Sequence, residues 1–100
     1  MKKTFPKASA VCKVTFTISA DLLGGAKKAS VAGDFNDWDI EELPFKITNG
    51  TGSVSRGLPL GREFQYKFVI DGTRWENDPE TEGYAPNGLG DYNSVVKTYK

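Results

Sequence analysis

The chain has 100 residues, with 13 Lys plus Arg against 13 Asp plus Glu, no histidine and one cysteine. That length suits a single domain with one modest core, and a catalytic barrel or a second domain does not fit within it. A formal net charge of zero gives no electrostatic reason to expect a nucleic acid or an anionic membrane as partner.

Residues 1–10 are polar and without period, and are expected to form a flexible N-terminal arm; residues 11–100 read as one domain. From Val11 to Ser19 the chain alternates, with Cys12, Val14, Phe16 and Ile18 on one face, as in a half-buried strand. Gly24-Gly25 marks a loop, with room for one helical turn near Leu22-Leu23, and Ala29 to Gly33 is a short strand candidate. An acidic stretch, Asp34 to Glu42, carries Phe35 and Trp38. Leu43, Phe45 and Ile47 alternate up to Asn49-Gly50, a strong hairpin signal because both residues tolerate positive φ. Thr51 to Leu58 is the returning strand, and Pro59 to Gly61 turns the chain again. Glu63 to Ile70 is the clearest strand, with Phe64, Tyr66, Phe68 and Ile70 on one face and Glu63, Gln65, Lys67 and Val69 on the other. Asp71-Gly72 turns the chain towards Trp75, residues 77–92 read as irregular, and Asn93 to Tyr99 closes the fold as a strand. About seven short strands with frequent turns predict an all-β, two-sheet antiparallel β-sandwich.

The chemistry available is narrow. Without histidine the commonest general base and metal ligand are missing, and Cys12 in an alternating strand is a core residue rather than a nucleophile. Carboxylates cluster around both tryptophans, yet glycoside cleavage needs two of them facing each other across a bound sugar. Acidic loops suit calcium, but no twelve-residue calcium loop is present. Neither catalytic nor metal-ligating residues are assigned, no cofactor is expected, and the chain is not expected to be an enzyme. Trp38 and Trp75 sit in polar loops, where a flat indole can cover the apolar face of a sugar ring. Neighbouring Asn, Asp and Lys side chains, Asn36 among them, can bond the hydroxyls. Burial of both indoles as caps on the core is the competing reading.

Three segments go further: Val31-Ala-Gly-Asp-Phe-Asn-Asp-Trp38, Phe64-Gln-Tyr-Lys-Phe-Val-Ile-Asp-Gly-Thr-Arg-Trp-Glu-Asn-Asp-Pro79, and Asn87-Gly-Leu-Gly-Asp-Tyr-Asn-Ser-Val-Val96. Their order and spacing resemble the isoamylase N-terminal domain family. That family includes the glycogen-binding domain of the AMP-activated kinase β subunit and modules of glycogen branching and debranching enzymes. The resemblance covers roughly residues 11–98 and implies an immunoglobulin-like β-sandwich that binds or positions α-1,4-linked glucan such as glycogen or starch. By this analogy Trp38 and Trp75 stack on glucose rings and Lys67 and Asn93 bond hydroxyls, with Leu89 also matching a binding position. This chain departs from the kinase-type pattern in placing two residues, Thr73 and Arg74, between Asp71-Gly72 and Trp75. A two-residue loop would set Trp75 opposite Phe68, on the core face; a three-residue loop would set it opposite Val69, beside Lys67. The polar run Glu76 to Pro79 favours the second.

The expected function is therefore non-catalytic binding of α-1,4-linked glucan by a free-standing module, with a glycogen-metabolising enzyme as a candidate protein partner. The alternative is a structural or docking domain that keeps the fold without a working sugar site. The single cysteine excludes an intrachain disulfide, and Met1-Lys2-Lys3 is followed by no apolar run of the ~7–15 residues a secretion signal needs. A cytoplasmic location is the expectation.

Overall fold

The computed structural model describes residues 1–99. Alternation builds two antiparallel sheets. The first has the order β1 (Lys2–Thr4), β2 (Val11–Ile18), β5 (Thr51–Pro59), β4 (Lys46–Thr48). The second has the order β3 (Ala29–Gly33), β6 (Glu63–Ile70), β9 (Tyr92–Lys97), β8 (Tyr84–Pro86), and β7 (Arg74–Glu76) also pairs with β6. The sheets pack as an immunoglobulin-like sandwich. Cys12, Val14, Phe16 and Ile18 from β2 meet Phe64, Tyr66, Phe68 and Ile70 from β6 in one buried cluster. Phe16 lies 5.0 Å from Tyr66 and Phe45 lies 5.1 Å from Phe68, ring centre to ring centre. Each fully buried large side chain of this kind contributes about 1.5–3 kcal/mol.

Leu43 and Phe45 explain how the chain changes sheets. Val31 N donates to Leu43 O (3.0 Å) and Phe45 N donates to Ala29 O (2.8 Å), so this segment first lies along the free edge of β3. Lys46 to Thr48 then pairs with β5 in the other sheet, and Asn49-Gly50 closes that hairpin with φ of 53° and 82°. A helical turn near Leu22-Leu23, α1 (Ala20–Leu23), is capped by Ser19, whose Oγ accepts from Leu22 N.

Two segments differ from the sequence expectation. Within the N-terminal ten residues, Lys2–Thr4 pairs with β2, Phe5 packs against the core, and Lys3 Nζ donates to Lys97 O at 2.9 Å. Three residues are too few to display a period, so pairing there is decided by the partner strand. Residues 77–92 contain a short strand, β8, beside β9. Pro86 is compatible with it because β8 is an edge strand, where a missing N–H leaves no ladder bond unmade.

Candidate functional site

The site lies on the outer face of the second sheet. Register places Lys67 beside Ala32 and Val69 beside Ser30, while Gln65 faces Val95 and Tyr66 faces Ser94. Paired residues share a face, so Asn93, next to the core-facing Ser94, points outwards with Lys67 and Gln65.

Trp38 reaches this face from the turn that follows β3. A single turn of 3-10 helix, Asp34–Asn36, is followed by Asp37 and Trp38, both left-handed with φ of 54° and 58°. Two non-glycine residues in that region store strain of about 1–3 kcal/mol each. Trp38 N donates to Gly33 O at 2.9 Å and closes the reversal. The indole is oriented in turn: Trp38 Nε1 donates to Asp34 Oδ1 (3.2 Å), and Asp34 Oδ2 accepts from Gln65 N (2.8 Å). Gly33 allows the close approach, since a Cβ there would lie 2.6 Å from Gln65 O and 2.8 Å from Tyr66 Cβ.

Trp75 sits opposite Val69, on the Lys67 face, with Arg74 opposite Ile70. Of the two alternatives weighed from the sequence, the hairpin has the three-residue loop, Asp71 to Thr73. Asp71 and Gly72 form a tight turn with φ of 55° and 72°, and Thr73 N donates to Ile70 O at 3.2 Å. Thr73 is then the extra residue that moves Trp75 to the outer face. Arg74 Nη2 donates to Leu22 O (3.1 Å) and Leu23 O (3.3 Å), which anchors the hairpin from the other side. Trp75 remains 43% exposed.

Lys67 is almost buried, and its Nζ donates to Asp91 Oδ2 at 2.6 Å. That bond holds the Asp91 carboxyl below the usual carboxylate range, aided by a backbone bond at Tyr92. Asn93 Nδ2 donates to Gln65 Oε1 at 3.0 Å. Leu89 projects from the loop between β8 and β9 and is 88% exposed. Asn87 Oδ1 ties that loop by accepting from Leu89 N (2.8 Å) and Asp91 N (3.3 Å). Gly88 and Gly90, with φ of 78° and 85°, supply the left-handed backbone on either side of Leu89.

Trp38, Lys67, Trp75, Leu89 and Asn93 line one open cavity of about 520 Å³. Asn36 does not. Its Oδ1 accepts from Gly33 N (2.9 Å) and its Nδ2 donates to Val31 O (3.0 Å). The side chain thus secures the turn that carries Trp38 and lies outside the cavity lining. Asp34, Gln65, Pro86 and Asn87 complete the lining and were not singled out from the sequence. Gln65 had a signal, the alternation that sets it beside Lys67; Asp34 was indistinguishable from its acidic neighbours. Among the described residues no group of three His, Cys, Asp or Glu is placed to hold a metal ion. The arrangement offers two indole surfaces, an aliphatic ridge, and amide and charged groups between them.

No family profile matches the chain. It is 41% identical over 51 residues to a 1,4-alpha-glucan branching enzyme, GlgB, of Ralstonia nicotianae, a stretch covering 47% of this chain and 7% of that enzyme. The chain thus spans a small fraction of the curated relative it matches, and its likeness is to a segment of a glucan-processing enzyme.

Proposed function

We propose that this domain binds α-1,4-linked glucan, of the glycogen or starch kind, without cleaving it. The observation that carries the reading is the convergence of two tryptophans, Lys67, Asn93 and Leu89 from four separate chain segments on one open cavity. An indole buries the apolar face of a glucose ring, and the amide and charged groups between the indoles match its hydroxyl rim. The similarity to a segment of a glucan branching enzyme supports the same ligand class. Asp34 is the one carboxylate in the lining among the described residues, and both its oxygens are engaged by Trp38 and Gln65. Glycoside hydrolysis needs a second carboxyl group across the sugar, so a non-catalytic module fits better. A cytoplasmic setting, alongside a glycogen-metabolising enzyme, is part of the proposal; Cys12 is a free, buried thiol.

The test is a titration of β-cyclodextrin or maltoheptaose followed by amide and indole chemical shifts. The expected result is saturable shifts centred on Trp38 Nε1, Trp75 Nε1 and the Asn93 side chain. No shifts at millimolar sugar, or shifts confined to another face, would overturn the reading. Release of reducing sugar from glycogen would overturn its non-catalytic part.

A further inference from the structure

A second aromatic pair lies outside this cavity. Tyr84 and Tyr92 are 59% and 53% exposed and, with Asn77 and Asp91, line a separate open cavity of about 360 Å³. Tyr84 pairs with Ser94 and Tyr92 with Pro86, whereas Asn93 pairs with Ala85. Alternation therefore puts both tyrosines on the face of the β8–β9 ribbon opposite Asn93. Asn77 fixes the floor: its Nδ2 donates to Tyr92 O (3.1 Å) and its Oδ1 accepts from Ser94 Oγ (2.8 Å).

We propose that a glucan seated on the Trp38–Trp75 face continues round the Leu89 loop onto Tyr84 and Tyr92, which form a second contact for longer chains. The inference rests on the glucan-binding reading above. Two observations favour a sugar over a protein as occupant. The faces are continuous: Asp91 holds Lys67 at the first cavity and lines the second. The Leu89 loop and the edge strand β8 lie between them. The chemistry is also repeated, with exposed aromatic rings beside polar side chains, Asn93 and Lys67 at the first cavity and Asn77 and Asp91 at the second. Tyrosine presents an apolar ring and a polar tip, which suits a half-wet ligand.

Calorimetric titrations compare β-cyclodextrin, a ring confined to one face, with linear maltodecaose, for the parent and for Tyr84→Ala/Tyr92→Ala. The expected result is a loss of about fivefold or more in maltodecaose affinity, with cyclodextrin affinity within about twofold of the parent. Unchanged maltodecaose binding by the double variant overturns the inference alone, as does an equal loss for both ligands. A parent that binds neither sugar overturns this inference and the glucan reading together. A second measurement needs no variant: the Tyr84 and Tyr92 ring resonances of the parent should shift with maltodecaose and stay still with cyclodextrin. Rings that stay still with both sugars, including the case where this face serves a protein partner, overturn the inference.

Discussion

Replacing Trp75 with Ala separates binding from folding. A tryptophan carries on the order of 250 Å² of surface, and 43% of it is free at Trp75. A sugar stacked on one side of that free portion would bury roughly 50 Å², contributing about 1.3 kcal/mol at 25 cal/mol per Å². Trp75→Ala should therefore weaken oligosaccharide binding about tenfold. The remainder of the residue is already covered, with Trp75 paired opposite Val69 of β6. Its loss should lower folding stability by about 2 kcal/mol after allowance for a compact unfolded chain, a fall in Tm of roughly 8–16 °C for a domain this small. Trp75→Phe keeps a flat ring and should recover part of both. The assay pairs calorimetric titration of maltoheptaose, well below the lowered Tm, with thermal unfolding of each variant. A Trp75→Ala protein that binds with the parent's affinity would refute the stacking argument. So would one that loses affinity only in proportion to its unfolded fraction.

Gly33→Ala should destabilise the domain by at least about 2 kcal/mol, because the new Cβ would meet backbone at 2.6 Å and overpacking is not relieved by a rotamer change; denaturant unfolding reads it directly. Tyr66→Phe removes the buried hydrogen bond from Tyr66 Oη to Asp78 Oδ2 (2.7 Å) and should lower stability by about 1–3 kcal/mol, with the ring packing intact by near-ultraviolet dichroism. Sugar affinity should be flat from about pH 6 to 8, since no unperturbed side chain of this histidine-free chain titrates there. Asp91 behaves differently at acid pH: its folded pKa lies below the ordinary 3.8, so its stabilisation is complete above that value and is lost as pH falls further. Urea midpoints across that range should show the loss in the parent, and a smaller loss in Asp91→Asn. Cys12 is fully buried, and burial pushes its thiol up, so it should resist alkylation in the native protein and react on unfolding.

Much of this molecule is written in local pattern. The period of two in Val11–Ile18 and Glu63–Ile70 names the core face of both strands, because side chains of a strand alternate whatever the strand pairs with. Asn49-Gly50 names its turn because few residues tolerate left-handed backbone. What pattern could not settle depends on contacts between distant segments. Lys2–Thr4 becomes a strand only because β2 offers an edge to pair with. Asn36 looks like a sugar ligand beside Trp38, but Gly33 and Val31 take both ends of its amide once the turn closes. The face of Trp75 hangs on one residue, Thr73, whose place outside the ladder follows from the turn at Asp71-Gly72 and from Arg74 binding the end of α1. The Lys67–Asp91 pair joins β6 to a loop 24 residues away. Side-chain direction along a strand is set by neighbouring bonds and is legible in sequence. The meeting of four segments on one sheet face is set by pairing register and loop closure, and only the folded chain decides it.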